Sequence, residues 1–492
     1  MKMKIRFAIG IVLLELCAAA TAGETSQKKV LGYQLDVSRS KVPQMATLCR
    51  IVDILGRLGY NQFQLYTEHT FAYAKHETVW REASPMTPDE IRRLDDCCAA
   101  RGIELVPNQN SFGHLENWLC HPEYNVLAEA PLGGTTCQLP DRFYELAMPM
   151  CLCPTDPRSL TFLAGLYDEL FPCFRSKLVN VGCDETMELL DEHEPRLGRS
   201  AKEIAAKGPV RVYLEFLLKI HRLCAERGHR MMFWGDIILH HPELISELPK
   251  DVICLNWGYE HDHPFEKETA AFEAAGRDFI VCPSTSAWGS LSGRTANMMG
   301  NIDNAITAAD RHGALGAILA DWGDGGYPNP WIVSVPGLVY LAHRAKGEKL
   351  DRAQLAAEID KLLGCRCGAA LLAYGDVYEK AGGRKVFLSE LFYLLRQGRD
   401  YKRAEGVTDE SLEAALAQAK NAASLFNPEG APEWVRDGFA LLDLLYRAVD
   451  MRIHKPKAKN FRATFEPEYR RLWLKYNRPG GLTRSLNGIF SR

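Results

Sequence analysis

The chain has 492 residues, and its 59 basic and 62 acidic side chains give a formal net charge of −3. This near balance provides no basic surface for nucleic acid or for an anionic membrane. The hydrophobic fraction of 47% and the charged fraction of 25% are those of ordinary globular proteins. We therefore expect one large domain and a smaller one, with no nucleic-acid partner and no stable membrane insertion.

The first residues have the pattern of a signal peptide. Lys2, Lys4 and Arg6 precede the short apolar run Phe7–Leu16, and small residues follow at 20–22. The run is too short to span a bilayer, and the small residues suit a cleavage site. We predict a signal peptide over residues 1–22 and an exported protein that is periplasmic, surface-associated or secreted. No Asn-x-Ser/Thr sequon occurs in the chain, which favours a bacterial source.

Fifteen cysteines are compatible with disulfides, but their pairing cannot be read from the sequence. Their spacing lacks the paired Cys-x-x-Cys framework of structural zinc sites. We expect no metal and no cofactor.

From about residue 30 the chain alternates between candidate strands and helices. The predicted strands are Leu31–Val37, Asn61–Glu68, Ile103–Asn110, Lys177–Glu185, Met231–Ile237, Val252–Gly258, Asp278–Thr285 and Gly316–Trp322. Amphipathic stretches between them predict helices over Gln44–Leu58, Pro88–Arg101, Val210–Arg227 and Asn301–His312. Glycines before the following strands suit the left-handed residue that closes a helix, at Gly59, Gly102, Gly228, Gly276 and Gly313.

Eight strands that alternate with helices over roughly 300 residues are typical of an α/β fold of the (β/α)8, or TIM-barrel, type. An open doubly wound sheet would need a glycine-rich phosphate loop after the first strand, and Leu35–Arg39 does not resemble one. We predict a barrel over residues 30–346. The alternation then stops, and the amphipathic pattern predicts a helical C-terminal domain over residues 347–492.

The connection after the third predicted strand is unusually long, from Gly113 to Thr155. Loops of this length in compact domains are commonly functional or disordered. On a barrel this loop would overhang the carboxyl ends of the strands. Asp156 and Pro157 then predict the start of a helix, with the aspartate as its cap.

Catalytic groups of barrel enzymes lie at the carboxyl ends of the strands. Those positions combine carboxylates with tryptophans: Asp36, Arg39, Tyr66, Glu68, His69, Asn108, Asn110, His114, Asp184, Glu185, Trp234, Asp236, Trp257, Tyr259, Trp288, Asp321, Trp322 and Asp324. Carboxylates serve as acids and bases, and indole rings pack against the C–H faces of a sugar ring. The combination indicates a carbohydrate site.

Asp184 and Glu185 close an apolar run at the fourth strand end. Neighbouring side chains of a regular strand point to opposite faces, so both can reach the barrel mouth only where the pleat breaks. A lone Asp-Glu pair has an ordinary explanation as a solvated strand end. The matching chemistry at the other strand ends favours a functional pair.

The chain resembles glycoside hydrolase family 20, the β-N-acetylhexosaminidases, and within it the branch that contains animal hexosaminidase D. The likeness is carried by four segments that occur in the family's order along the barrel: Leu35–Arg39, Ser111–His114, Val181–Glu185 and Trp322–Asp324. The resemblance implies a glycan partner with a terminal N-acetylhexosamine. It also implies retaining catalysis in which the acetamido oxygen of the substrate is the nucleophile.

The resemblance also implies roles for individual residues. Glu185 would be the general acid and then the base that activates water, and Asp184 would orient the substrate's acetamide. Arg39 would grip sugar hydroxyls, and His114 would support the acid. The remaining predicted substrate-binding residues form the acetamide pocket or contact the outer hydroxyls, namely Trp234, Trp257, Tyr259, Trp322 and Asp324.

Three positions depart from the usual family pattern. Cys183 stands where most members have glycine, and Phe112 stands where proline is usual. Asp324 replaces a glutamate that contacts the outer hydroxyls in many members. The shorter side chain leaves the choice between GlcNAc and GalNAc open.

Three other functions are compatible with the residues. A different glycosidase would pair Glu185 with Glu68, Asp236 or Asp324. A metal-dependent barrel hydrolase would use side chains such as His69, His114, Asp184 and Asp236, although the close histidine pairing common in such sites is missing. A non-catalytic glycan-binding protein would have no need of a general acid.

Overall fold

The computed structural model describes residues 29–39, 41–131, 149–190, 198–383 and 389–490. The predicted signal peptide at 1–22 lies outside these residues and stays a prediction. Part of the long loop after the third strand also lies outside the described residues.

Eight parallel strands form a closed barrel in which each strand pairs with its neighbour in the chain and β8 pairs with β1. They are β1 Val30–Asp36, β2 Gln62–Thr67, β3 Glu104–Gln109, β4 Leu178–Asn180, β5 Arg230–Trp234, β6 Ile253–Trp257, β7 Asp278–Cys282 and β8 Gly316–Asp321. The predicted (β/α)8 fold is confirmed.

The prediction was wrong about the ends of three strands. The strand predicted over Lys177–Glu185 is only three residues long and ends at Asn180. The fifth strand ends at Trp234 instead of Ile237, and the seventh ends at Cys282 instead of Thr285. After Asn180 the backbone enters the left-handed region at Gly182 and Cys183, with φ of 67° and 71°. Residues with positive φ cannot continue a pleated strand, so the apolar run extends beyond the strand itself.

Helices cover the outside of the barrel. The longer ones in the connections are Met45–Leu58, Pro88–Ala99, Pro157–Leu170, Pro209–Glu226, Phe265–Ala274, Thr295–His312 and Val335–Arg344. Between β5 and β6 the chain forms only the single-turn helix Asp236–Leu239 and the 3-10 helix Pro242–Glu247. The predicted glycines after the helices all have positive φ, from 60° at Gly276 to 84° at Gly59.

Side chains of β2, β3 and β4 form a buried polar layer beneath the barrel mouth. The Oε1 atom of Gln64 accepts hydrogen bonds from Asn108 at 3.0 Å and from Asn180 at 3.1 Å. The Nε2 atom of Gln64 donates to Gln62 at 3.0 Å. Because buried amides are costly to leave unpaired, this network stabilises the barrel interior directly beneath the carboxyl ends of the strands.

The connection after β3 contains the short helices Glu116–Leu119 and Pro122–Asn125, and its residues 132–148 lie outside the described part of the chain. The predicted cap at its end is present. The carboxylate of Asp156 accepts from the backbone N–H of Arg158, and the helix begins at Pro157.

The described part of the chain after β8 contains helices and no further strand, as predicted. After Arg344 these are Arg352–Leu363, Gly368–Tyr374, Val377–Ala381, Glu390–Gln397, Asp409–Ser424, Glu433–His454, Phe461–Tyr476 and Leu482–Ile489, with a 3-10 turn at Gly398–Asp400. The predicted boundary at residue 347 falls between the first of these helices and the one that ends at Arg344.

Near its end the chain returns to the barrel. Asn477 forms a β-bridge with Pro43, and the backbone N–H of Arg478 donates to Val42 at 2.8 Å. The guanidinium of Arg478 donates to the carbonyl of Pro85 at 2.7 Å and to the carboxylate of Glu90 at 2.8 Å. These contacts hold the C-terminal helices against the amino-terminal half of the barrel.

Within the described ranges, no helix is both long enough and apolar enough to cross a membrane. The cysteines of the same ranges are free thiols, and the thiols of Cys49 and Cys97 lie 3.3 Å apart.

Candidate active site at the carboxyl ends of the strands

The segment that follows β4 turns Asp184 and Glu185 to the same side. Cys183 and Glu185 have φ of 71° and 45°, on either side of Asp184. This backbone path breaks the alternation of a strand, which would otherwise send neighbouring side chains to opposite faces. The two adjacent carboxylates therefore both reach the barrel mouth, as the sequence analysis required.

His114 contacts both carboxylates through one ring nitrogen. Its Nε2 atom lies 3.4 Å from Oδ2 of Asp184 and 3.3 Å from Oε2 of Glu185. Burial lowers the pKa of His114, but the charge of Asp184 and the hydrogen bonds that the ring donates to both carboxylates raise this pKa well above its usual value. The preceding Gly113 has to be a glycine, because a Cβ atom there would lie 2.5 Å from the carbonyl oxygen of Asp184.

The carboxylate of Asp184 is held rigidly. Its Oδ1 atom accepts a hydrogen bond of 2.9 Å from Nδ2 of Asn110, whose Oδ1 atom accepts from the backbone N–H of Cys183 at 3.2 Å. Burial raises the pKa of Asp184, but the charge of His114, its hydrogen bond to Asp184 and the charge of Arg39 together outweigh burial and leave this pKa lowered. Asp184 is thus an oriented, ionised carboxylate that is only 6% exposed.

Glu185 is the more accessible of the two acids, with 44% of its side chain exposed. Its backbone N–H donates to Oδ2 of Asp236 at 3.1 Å. Burial, together with the charge of Asp184, raises the pKa of Asp236 to about 8. Asp236 therefore supports the turn that presents Glu185 and carries a proton at neutral pH.

Arg39 is a buried cation that lies among several carboxylates. Its Nη1 atom is 2.8 Å from Oε1 of Glu68, and its Nε atom is 3.6 Å from Oδ1 of Asp324. Its Nη2 atom is 3.3 Å from Nδ1 of His114. Because a guanidinium only donates, this last contact is a hydrogen bond only when His114 is neutral, whereas the protonated ring that the two carboxylates favour places two donors beside each other.

The carboxylates around Arg39 are strongly desolvated. Burial raises the pKa of Glu68 to about 7 and that of Asp324 to about 6, against the lowering effect of the Arg39 charge. Asp36 organises the loop around the arginine, because it accepts from the backbone N–H groups of Arg39 at 3.1 Å and Gly323 at 2.9 Å.

Aromatic side chains form one wall of the site. The ring centroids of Trp234 and Trp322 are 5.8 Å apart, and Trp257 stacks on Tyr259 at 4.9 Å. The indole N–H of Trp322 donates to the hydroxyl oxygen of Tyr259 at 2.7 Å, which leaves the Tyr259 proton available to a ligand. The charges of Asp184 and Glu185 contribute to the raised pKa of Tyr259, after burial, so the wall borders the two acids.

All nine predicted site residues thus form one continuous group. Their assigned roles in binding and catalysis remain predictions.

The structure adds contacts that the sequence analysis did not assign. Asn110 orients Asp184, and Asp236 holds the backbone of Glu185; both are strand-end residues, so their position was a usable signal. Asn117 lies in the loop after β3, and its Nδ2 atom donates to Glu68 at 3.1 Å. No sequence pattern marked Asn117.

One strand-end carboxylate, that of Asp321, has a structural role. Asp321 is fully buried and accepts hydrogen bonds from the hydroxyls of Tyr33 at 2.6 Å, Tyr327 at 3.2 Å and Thr285 at 2.9 Å. Its oxygens are occupied by these donors. Among the residues that the structure describes, no group of three or more His, Cys, Asp or Glu side chains is arranged to hold a metal ion.

Comparison with known proteins gives a consistent picture. The catalytic-domain model of glycosyl hydrolase family 20 matches residues 31–293. A β-hexosaminidase of Akkermansia muciniphila is 24% identical over 238 residues, which cover 43% of this chain and 45% of that protein. Hexosaminidase D of Bos taurus is 26% identical over 224 residues, covering 45% and 60% respectively. The chain thus aligns with about half the length of these two curated relatives.

Among solved structures, a chitobiase from Flavobacterium johnsoniae superposes with a TM-score of 0.56 at 15% identity, over 94% of this chain and 78% of that one. At this identity the likeness shows the fold. The family model covers more than half of the 492 residues, including β1 to β7 and both carboxylates after β4. The chain belongs to glycosyl hydrolase family 20.

Proposed function

We propose that the protein is a β-N-acetylhexosaminidase that removes terminal β-linked GlcNAc or GalNAc from glycans with retention of configuration. The observation that carries this proposal is the shared contact of Asp184 and Glu185 with His114 Nε2, at 3.4 and 3.3 Å. One acid is buried and fixed, and the other is exposed toward the mouth. This division suits one orienting carboxylate and one proton donor.

In the first step, Glu185 protonates the glycosidic oxygen while the carbonyl oxygen of the substrate's acetamide attacks the anomeric carbon. The bond to the leaving group breaks, and a cyclic oxazolinium forms. Asp184 accepts the acetamide N–H and offsets the developing positive charge. The Tyr259 hydroxyl donates to the acetamide oxygen and aims it. Proton transfer by a positioned side chain contributes about 10²- to 10⁴-fold to such rates.

In the second step, Glu185 takes a proton from water, which attacks the anomeric carbon from the face that the leaving group vacated. The ring opens to restore the acetamide, and the proton returned to Glu185 completes the cycle. The nearby side chains of Trp234, Trp257 and Trp322 enclose the acetamide methyl. Arg39 and Asp324 lie together at 3.6 Å, in a position to bind hydroxyls of the same sugar.

The contacts favour this mechanism over a glycosidase with two opposed carboxylates. Glu68 is bound to Arg39 and Asn117, and Asp236 accepts from the backbone of Glu185. Burial raises the pKa of both, which makes each a poor nucleophile at neutral pH. A two-carboxylate enzyme would cleave sugars without an acetamide and would not be inhibited by a thiazoline mimic of the cyclic intermediate.

The test is hydrolysis of 4-nitrophenyl β-GlcNAc, β-GalNAc and β-glucoside by the wild-type protein, Glu185→Gln and Asp184→Asn. We expect cleavage of at least one acetamido sugar, no cleavage of the glucoside, and inhibition by the thiazoline. Each variant should lose about 10²-fold or more in kcat. The proposal would be disproved if Glu185→Gln kept the wild-type kcat, or if the wild-type protein hydrolysed the β-glucoside. Glu226→Gln, at an exposed position of a helix on the outside of the barrel, is a matched control.

Export is a separate part of the proposal, and it is supported by the sequence of residues 1–22 alone. Expression of the full chain in a bacterial host with a functional secretory system should yield a protein that begins near Gly23. N-terminal sequencing of the product checks this, and a product that retains residues 1–22 would contradict it.

A further inference from the structure

A cavity separate from the sugar site lies between the barrel and the C-terminal helices. Its volume is about 70 Å³. The barrel contributes the segment after β1 and the segment after β8, and the C-terminal part contributes the helices Glu433–His454 and Phe461–Tyr476. The lining is rich in aromatic rings, which include Tyr327, Trp331, Trp434, Tyr469, Trp473 and Tyr476.

Lys41 is the buried cation of this cavity. Its side chain is buried at 7% exposure, and its Nζ atom donates to the carbonyl of Asn329 at 2.7 Å. Tyr327 and Trp473 face the ammonium with ring centroids 4.5 and 5.2 Å away. An ammonium has three donors, and within the described ranges only the Asn329 carbonyl accepts one of them. Two N–H groups are therefore left for a ligand.

No carboxylate neutralises this ammonium directly. In the described part of the chain Lys41 forms no ion pair, and the acid that acts on it from a distance is Asp321, whose oxygens are held by other donors. Burial lowers the pKa of Lys41 to about 7. A buried cation without a counter-ion is costly, so an anion bound beside Lys41 would be stabilised by the ammonium and would in turn favour its protonated form.

The remaining charges of the cavity agree with an anionic ligand. Arg50 is a second cation of the lining, and its guanidinium lies 5.7 Å from the ring centroid of Trp434 and 5.8 Å from that of Tyr476. Asp437 also lines the cavity, but Lys475 and the hydroxyl of Tyr476 both donate to it. The acid is thus compensated, and the two cations set the net charge.

We propose that this cavity binds a short-chain aliphatic monocarboxylate, with its carboxylate on Lys41 and its alkyl chain against the aromatic rings. One water molecule needs about 10–15 Å³ of such a volume, so the cavity has room for several water molecules or for an alkyl group of a few carbons. A sugar would leave hydroxyls unpaired against apolar walls, and a neutral apolar molecule would leave Lys41 without a counter-ion.

The test uses the full chain and butyrate as the probe, with butyramide and butylamine as ligands of the same shape but different charge. Titration at constant ionic strength is followed by saturation-transfer NMR and by tryptophan fluorescence, since three tryptophans line the cavity. We expect saturable butyrate binding in the millimolar range and at least tenfold weaker binding of both neutral butyramide and cationic butylamine.

Two variants locate the site. Lys41→Met removes the ammonium, and Leu441→Phe fills the cavity from the C-terminal wall while Lys41 stays in place. Each should weaken butyrate binding at least tenfold, so the test does not depend on the folding of one variant. Equal binding of butyramide, unchanged binding in the Leu441→Phe variant, or no saturation by 100 mM butyrate would overturn the proposal.

Discussion

Cys183 shows how the site tolerates an unfavourable backbone. Its φ of 71° lies in the left-handed region, which costs a residue with a Cβ atom about 1–2 kcal/mol. The backbone N–H of Cys183 donates to Asn110 at 3.2 Å, and its carbonyl accepts from the hydroxyl of Tyr213 at 2.8 Å. These buried hydrogen bonds offset the strain. The usual family glycine can be replaced here because the backbone is held from both sides.

Tyr259 gives a sharp prediction for a single hydroxyl. Tyr259→Phe keeps the ring that stacks on Trp257 but removes the hydroxyl proton that donates to the acetamide oxygen in the proposed mechanism. We expect kcat/KM for 4-nitrophenyl β-GlcNAc to fall about 10²- to 10³-fold, as for the loss of one donor to a developing charge.

The control for this prediction is Tyr60→Phe, which removes a buried hydroxyl that donates to the carbonyl of Leu338. That variant should keep the wild-type kcat/KM. Equal activity of Tyr259→Phe and Tyr60→Phe would show that the Tyr259 hydroxyl has no part in the reaction.

At the scale of single elements, the sequence predicted which helices and strands are present better than it predicted how long they are. The helix ends were predicted correctly at the glycines, because the left-handed residue that closes a helix is commonly glycine and is therefore visible in the sequence. The fourth strand was predicted too long because the apolar residues Val181 and Cys183 are buried without being in a strand. Apolar character reports burial, whereas strand length depends on φ angles that the composition does not fix.

The candidate site was predictable to the same degree. Residues at strand ends could be placed from the alternation pattern and the resemblance, which brought Arg39, Asp184 and Tyr259 into one group. The contact of Asn117 with Glu68 could not be predicted from the sequence, because it depends on how the loop after β3 folds back. The hydrogen bonds of the C-terminal Arg478 to Pro85 and Glu90 are equally non-local in sequence.

Arg478 allows a test of how the C-terminal helices are fastened. Its side chain is 16% exposed and donates to Glu90 and to the carbonyl of Pro85. Arg478→Met keeps the alkyl stem but removes the donors to the carbonyl of Pro85 and to Oε1 of Glu90. We expect the free energy of unfolding to fall by about 2–3 kcal/mol, measured by urea denaturation at pH 7.

Arg447→Met is the comparison for this variant. Arg447 pairs with Asp443 one turn away on an exposed helix face, with 59% of its side chain accessible. Exposed pairs of this kind contribute about 0.3–0.5 kcal/mol. A loss for Arg478→Met no larger than for Arg447→Met would show that this contact does not fasten the helices.

At the scale of the whole molecule, burial in the site disfavours the ionised form of three carboxyl groups. Glu68, Asp236 and Asp324 have pKa values raised to about 7, 8 and 6, in each case first by burial. Because burial opposes their ionisation, these three groups should reduce the stability of the folded protein at any pH that ionises them in the unfolded chain.

The pH dependence of stability follows from these shifts. From about pH 4 up to its raised pKa, which is about 6 for Asp324, 7 for Glu68 and 8 for Asp236, each group keeps its proton in the folded protein. The same groups in the unfolded chain are already ionised over this range. Because the folded state binds more protons over this range, these groups lower the free energy of unfolding as the pH rises. Asp184 has the opposite shift, so its contribution is lost only as the pH falls below its usual range.

Asp236→Asn isolates the largest of these effects, because the amide oxygen can still accept from the backbone N–H of Glu185. Urea unfolding at pH 5, 6, 7 and 8 should show wild-type stability falling with pH and a shallower fall in the variant. The slopes should differ by up to about 1.4 kcal/mol per pH unit, the value for one proton. Parallel slopes for the two proteins would mean that Asp236 is ionised in the folded enzyme, and that the turn presenting Glu185 is held by a carboxylate rather than by a protonated acid.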